Sequence, residues 1–482
     1  MKPNTNTDFL LMIRKTKIIA TIGPATSSKQ MLKKIIEKGV NVCRINFSHS
    51  SHDDAKKIIS RIKEINQELN VHTAILADLQ GPKIRVGDFE KPIRLKKGEE
   101  IVFSTKKTKN TIHINYTKFP KDVVVGDRIL LDDGKISLEV LSTNKKNQVR
   151  LRVVFGGTLK SNKGVNLPNT KISLPCLTTK DKKDLRFVLE QKIEWIGLSF
   201  VRSAKDIKTL KQIIKKQKKH HRIIAKIEKS EAINSIDSVI READAIMVAR
   251  GDLGVEIPSH KVPVLQKSIV EKCIKNAKPV VIATQMLESM TTSPTATRAE
   301  YNDVANSVID GADALMLSGE TSVGKYPVKS INTMRNIIRD VERSEHNISK
   351  NIEQLPIQNN KRILSNAICH NASAIAKQIN AKAIITITYS GFNTIKTSSF
   401  RPTSFIYAFT NNHTILNTLS LVWGVRGFYY DRGTTTDQTI SETKDFLKKN
   451  KYIKKGDYVI NLASMPAQEK GMTNMLKLSK VI

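Results

Sequence analysis

Cysteine is scarce and irregularly placed in this chain of 482 residues: Cys43, Cys176, Cys273 and Cys369 include no C-x-x-C pair. That spacing excludes a disulfide framework and the usual zinc sites, and it fits a reducing compartment, the cytoplasm. Aromatics are also few, at 5%, while the apolar 39% is dominated by Ile and Val, a composition suited to buried parallel strands. No stretch reaches the roughly 18 unbroken apolar residues of a membrane span. The run from Phe9 to Ile13 behind Lys2 is too short for a signal-peptide core and has no small-residue cleavage site, so no membrane partner is expected. Acidic residues are the last shortage, with 45 Asp and Glu against 80 Lys and Arg, a net charge of +35. Such an excess attracts nucleic acid, anionic membranes or phosphorylated metabolites. Much of it lies in stretches such as 205–222, where Ile207, Leu210, Ile213 and Ile214 form an apolar stripe and the lysines fall elsewhere, which reads as a solvated helix face. No aromatic interleaving, zinc-finger spacing or RNP-type motif accompanies the charge, so nucleic acid is not expected as a partner.

A chain this long exceeds the roughly 250–300 residues at which single cores stop growing, so two or three domains are expected. Short β-branched runs, each followed by a polar turn and a helix-period segment, mark βαβ units. They are KIIATIG (17–23), NVCRINF (41–47), TAILADL (73–79), WIGLSF (195–200), RIIAKIE (222–228), AIMVAR (245–250), PVVIATQ (279–285) and ALMLSGE (314–320). Eight units of this kind argue for a closed (β/α)8 TIM barrel. The helices are visible between them, as in MLKKIIEKG, closed by Gly39 at a C′ position. The gap after the third run is too long for a crossover helix. Residues 84–172 read instead as short alternating strands with an Asp133-Gly134 turn, an inserted β-barrel lid domain. After about residue 345, strands AIITIT (383–388), FIYAFT (405–410), VRGFYY (425–430) and YVINLA (458–463) alternate with helical patterns, a small doubly wound α/β domain. The expected division is an N-terminal tail over 1–14, a barrel over 15–83 and 173–345, a lid over 84–172, and a C-terminal α/β domain over 346–482.

Reacting groups in such barrels come from the C-terminal ends of the strands, and the unusual residues of this chain fall there. Strand two ends in Arg44, Asn46, Ser48 and His49, strand three in Asp78, strand four in Ser199, strand five in Lys226 and Glu228, strand six in Arg250, Gly251 and Asp252, and strand seven in Thr284. A charge in a buried strand costs several kcal/mol unless paired or bound to metal. Singly, each could be a structural ion pair at the rim, and Asp252 could be a helix N-cap; six strands converging on one mouth point to a site. Glu228 and Asp252, on neighbouring strand ends, can share a hard divalent cation, with magnesium the natural candidate. Lys226, on the same strand face as Glu228, and Arg44 add positive charge suited to a phosphate. The stretch GETSVGKY (319–326) matches G-x-x-x-x-G-K but has Tyr326 where a P-loop needs Ser or Thr, and GDLGVE is not a dinucleotide fingerprint.

The blocks TKIIATIGPATSS, NVCRINFSHS, ADLQGPKIR, IIAKIEKSEAI, IMVARGDLGVEIP, ATQMLESM and MLSGETSVGKYP closely resemble the pyruvate kinase family, strongly over about 15–345 and more weakly through RPTSFIYAFT, LVWGV and the closing GMTN. The resemblance implies a barrel, a lid and a C-terminal regulatory and oligomerisation domain, and the reaction of ATP:pyruvate 2-O-phosphotransferase (EC 2.7.1.40), with phosphoenolpyruvate and ADP as substrates, pyruvate and ATP as products, and a homotetrameric assembly. It also implies roles. Glu228 and Asp252 would hold Mg2+ or Mn2+. Lys226 and Arg44 would stabilise the phosphoryl group in flight, and Lys226 the enolate. The Gly251 and Asp252 amides with Thr284 would hold the substrate carboxylate, with Ser199 lining the same site. Asn46, His49, Arg85 and Lys163 would face the nucleotide. Asn46, Ser48, Asp78 and Leu79 occupy the family's monovalent-cation site.

Two departures stand out. Many members read D-T-K-G-P-E-I-R and need potassium, whereas this chain reads DLQGPKIR, with Leu79 and Lys83 in place of Thr and Glu. A lysine ammonium there can supply the missing charge, so the expectation is potassium independence. In TYSGFNTIKTSSFRP (388–402), Phe392 stands where a basic residue often follows Ser-Gly in a loop that contributes to effector-phosphate binding. Two rival readings remain at this stage. One is another magnesium-dependent barrel enzyme acting on phosphoenolpyruvate or a 2-oxo acid, which would not need the lid. The other is a basic nucleic-acid-binding protein on a degenerate barrel, which should have lost some of Arg44, Lys226, Glu228, Asp252 and Thr284; all five are present.

Overall fold

A computed structural model describes residues 14–168, 170–344, 362–432, 435–465 and 472–482. Most of the expected N-terminal tail, the junction near 345, and Gly471 of the closing GMTN lie outside the described residues.

The strands are β1 (Lys17–Ile22), β2 (Val42–Asn46), β3 (Ala74–Asp78), β4 (Trp195–Leu198), β5 (Arg222–Ile227), β6 (Ala245–Ala249), β7 (Val280–Ala283) and β8 (Ala314–Leu317). They pair in parallel in chain order, and β8 returns to β1 to close the barrel. Each falls inside its expected run and stops one to three residues earlier. Both faces of these strands are buried, which is why their sequences are apolar throughout rather than alternating. One set of side chains, including Ile19, Leu76, Trp195, Met247 and Met316, packs one cluster, and the alternate set packs a second cluster with the surrounding helices. The helix Lys29–Glu37 shows how the sequence punctuates these units. Ser28 accepts from the Met31 amide at its start, and Gly39, at φ 104°, provides the left-handed turn after its end. The lysine-rich helix Ala204–Lys216 buries Ile207, Leu210 and Ile214, with its lysines elsewhere.

Between β3 and β4 the inserted lid is a six-stranded sheet with a separate two-stranded ribbon, Ile93–Leu95 against Gly157–Leu159. Its core holds Phe103, Phe119, Leu138 and Leu151. The turn joining Arg128–Leu131 to Ile136–Thr143 is left-handed at Asp132, Asp133 and Gly134.

The C-terminal unit contains β9 (Ala383–Ile387), β10 (Phe405–Thr410), β11 (Val425–Tyr429), β12 (Tyr458–Ala463) and β13 (Met475–Lys480), in sheet order β11-β10-β9-β12-β13. The first four are parallel, and β13 is an antiparallel edge. This unit packs on the N-terminal ends of the barrel strands, opposite the mouth. Asn417 donates to Glu194 just before β4 at 2.9 Å, Lys17 of β1 donates to the Val425 carbonyl at 2.7 Å, and Leu421 joins the cluster of Ile19 and Trp195. Arg401 reaches Asp313, just before β8, at 2.8 Å with both side chains buried. Asp313 also accepts from the Val280 and Trp423 amides. Removing one partner leaves a buried charge uncompensated. Arg401→Ala should therefore cost about 3–5 kcal/mol and lower the thermal unfolding midpoint seen by calorimetry.

Candidate active site

The charges of β2, β3 and β5 converge on one buried carboxylate. Arg44 contacts Asp78 Oδ2 through Nε and Nη2, each at 2.7 Å, and its Nη1 donates to Thr21 Oγ1 on β1 at 2.9 Å. Lys226 Nζ lies 3.3 Å from Asp78 Oδ1 and 2.9 Å from Glu228 Oε1, and donates to Ser199 Oγ at 2.8 Å. Ser199 donates to the Leu79 carbonyl at 2.7 Å. Phe200, whose φ of 54° is left-handed, turns its amide onto Glu228 Oε2 at 2.7 Å. Lys226 and Glu228 meet because residues two apart on a strand share a face.

Burial alone would depress the Lys226 ammonium, but the Asp78 and Glu228 carboxylates outweigh it and raise its pKa above the ordinary lysine value. Burial pushes Asp78 up, yet Lys226 and Arg44 bring it below the usual carboxylate range. Glu228 moves the other way. Burial raises it, and the nearby Asp252 charge adds to the rise while Lys226 opposes it. Two carboxylates in mutual repulsion at a mouth that also holds two cations offer the oxygen donors that a hard divalent ion prefers. Among the described residues no group of three or more His, Cys, Asp or Glu is arranged for a metal, so Glu228 and Asp252 are the candidate pair.

Strand β6 stops at Ala249, so Arg250, Gly251 and Asp252 lie not on the strand but in the first turn of the helix Arg250–Glu256. This corrects the expectation that strand six ends in these three residues. Thr284, just past β7, is left-handed at φ 69°, as is Gln285 at 55°, a costly conformation for a β-branched residue. Arg250 holds that turn, with Nη2 donating to the Thr284 carbonyl at 2.8 Å and Nη1 pairing with Asp303 at 2.6 Å. The result aims Thr284 Oγ1 at the Gly251 amide, 2.8 Å away. A Cβ on residue 251 would sit 3.3 Å from that oxygen, so glycine keeps the approach open.

The remaining expected residues form a second, more exposed group. Asn46 Oδ1 accepts from the Ser48 amide at 3.1 Å. Burial lowers the His49 pKa, and the positive charges of Arg85, Lys83, Arg44 and Lys180 lower it further. Arg85 donates to the Asn162 carbonyl at 2.7 Å, and Lys163 pairs with Asp132 at 2.7 Å, both within the lid. Of the expected monovalent-cation ligands, Asp78 has Arg44 and Lys226 at its two oxygens, and the Leu79 carbonyl already takes the Ser199 hydroxyl. Sequence reasoning gave Arg250 no role and missed the Phe200 amide. The signal for Arg250 was a charge at the end of an apolar run; a single phenylalanine gives no comparable signal.

Comparisons with known proteins give the family. Residues 13–331 match the pyruvate kinase barrel domain, and residues 366–479 match the pyruvate kinase alpha/beta domain. The chain is 40% identical over 477 residues to a pyruvate kinase of Staphylococcus epidermidis, covering 97% of this chain and 81% of that protein. It is 41% identical over 474 residues to one of Geobacillus stearothermophilus, covering 97% and 80%. A crystal structure of a pyruvate kinase from Cryptosporidium parvum superposes with a TM-score of 0.91 at 35% identity, covering 98% of both chains. With both domains matched and such identity along nearly its whole length, this chain belongs to the pyruvate kinase family.

Proposed function

We propose that the side chains gathered at the barrel mouth carry the reaction of the family. The chain is an enzyme that transfers the phosphoryl group of phosphoenolpyruvate to ADP, giving pyruvate and ATP, the last step of glycolysis. The observation that carries the assignment of residues is the placement of Arg44 and Lys226 on either side of the buried Asp78, with Glu228 and Asp252 beside them.

Phosphoryl transfer is largely positioning and charge neutralisation. Asp78 fixes both cations, so the Arg44 guanidinium and the Lys226 ammonium face the phosphoryl group without rearranging during reaction. Lys226 stays charged because its two carboxylate neighbours raise its pKa, and it stabilises the enolate when the phosphorus–oxygen bond breaks. The substrate carboxylate is assigned to the Gly251 and Asp252 amides and the Thr284 hydroxyl, with the Gly251 amide exchanging its bond to Thr284 Oγ1 for one to the carboxylate, and Ser199 accepts from Lys226 and so orients it. Asn46, His49, Arg85 and Lys163 line the nucleotide side, where the cation cluster around His49 suits a polyphosphate.

The family implies a divalent metal, here assigned as Mg2+, with Mn2+ as substitute, held by Glu228 and Asp252. Held by those two carboxylates, such an ion would supply positive charge against the substrate oxygens as charge develops on them. Lys83 stands in DLQGPKIR where many members of the family have Glu, and its ammonium charge supports the reading that potassium is not required. The barrel of 15–83 and 173–345 performs the chemistry, the lid of 84–172 closes on it, and the domain of 346–482 assembles a homotetramer in the cytoplasm. No helix among the described residues is long and apolar enough to cross a membrane.

Three outcomes follow. In a coupled assay in potassium-free buffer, the enzyme should convert ADP to ATP from phosphoenolpyruvate, and Lys226→Met should lower kcat by at least about 10²- to 10³-fold. Lys83→Glu should restore a potassium requirement in the same assay; equal rates with and without potassium would sink the assignment to Lys83. Metal ligation needs the ionised Glu228 carboxylate, and its pKa is raised. Affinity for Mg2+ should therefore weaken on acidification from a higher pH than an ordinary carboxylate near 4 would give, as read by calorimetric titration of the metal at a series of pH values.

A further inference from the structure

A buried ion pair behind the mouth ties the lid to both halves of the proposed metal site. Lys229 Nζ sits 2.7 Å from Glu256 Oε1, and both side chains are buried. The same Glu256 oxygen accepts a hydrogen bond from Asn166 Nδ2 of the lid at 3.1 Å. Neither member of the pair belongs to the reacting set. Lys229 directly follows Glu228, and Glu256 ends the short helix whose first turn carries Gly251 and Asp252. Asn166 lies three residues beyond Lys163, in a two-residue edge strand paired with Leu130 and Leu131. The other oxygen of Glu256 is buried without a hydrogen-bond partner, so Oε1 carries the hydrogen bonds seen for this carboxylate.

We propose that Asn166, Glu256 and Lys229 form a latch that fixes the docked position of the lid and transmits it to the segments bearing Glu228 and Asp252. They are positioning residues. Asn166 binds a carboxylate already held by an ammonium, so its bond is charge-assisted. When the lid seats, the bond reaches Glu256 at one end of the helix of Asp252 and, through Lys229, the residue next to Glu228. Lid position and metal-site geometry are therefore coupled through two contacts rather than through substrate alone. The consequence for ADP rests on the reading that Lys163 and Arg85 face the nucleotide, whereas the latch itself does not.

The test uses the full-length enzyme and Asn166→Ala, which leaves the backbone pairing to Leu130 in place. Hydrogen exchange monitored by mass spectrometry should be faster over 128–131 and 163–167 in the variant and unchanged over β5 and β6. The KM for ADP should rise about ten-fold, as expected for one lost hydrogen bond to a charged group, by more than kcat falls. In a Glu256→Gln background the effect of Asn166→Ala should shrink, since the neutral acceptor has lost the charge-assisted bond. Faster exchange with an unchanged KM would keep the latch and remove the nucleotide from beneath Lys163. Unchanged exchange in Asn166→Ala, or full additivity with Glu256→Gln, would overturn the latch.

Discussion

The site depends on one buried carboxylate. Asp78 lies at the end of β3 with almost no exposure, and its two oxygens take Arg44 from β2 and Lys226 from β5. Two cations in a low-dielectric mouth repel each other strongly, and the anion between them offsets that repulsion and holds both in place. Asp78 therefore has no need to touch a substrate to matter: it fixes the direction of both cationic side chains and raises the Lys226 pKa. The barrel makes this possible because β2 and β3 are hydrogen-bonded neighbours, and closure brings β5 across the same mouth.

Much of the fold was legible because parallel barrel strands buried on both faces leave an unmistakable run of apolar residues, and because the polar interruptions fall at their ends. Arg44, Asp78, Lys226 and Glu228 stood out as charges in otherwise apolar strands, and the structure links those four in one chain of contacts, Arg44 to Asp78 to Lys226 to Glu228. The strand ends were read slightly long, since Ser199, Arg250 and Thr284 close the expected runs in sequence but lie past the ends of the strands in space. What the sequence could not reveal were contacts made by backbone geometry, such as the left-handed Phe200 that directs its amide to Glu228, and pairs between distant segments, such as Arg250 with Asp303 or Lys229 with Glu256. No local pattern encodes a partner 53 residues away.

The basic composition divides between two uses. The lysines of the helix Ala204–Lys216 lie off its apolar stripe and leave Ile207 and Leu210 to the core, while Arg44, Lys226 and the cations around His49 are concentrated at the mouth. Only the second group is matched to an anionic substrate by geometry. The overall charge of the chain says little about its partners, whereas the placement of a few cations says much.

Leu421 lies in a loop of the C-terminal unit, yet its side chain packs with Ile19, Trp195 and Met316 inside the barrel. In the order of synthesis, all eight barrel strands leave the ribosome before that leucine does. A newly made barrel has its floor open until residue 421 emerges, and only then can its innermost layer of side chains pack completely. The C-terminal unit is thus a stopper that the barrel must wait for, and the final tightening of the catalytic core belongs to the end of translation rather than its middle.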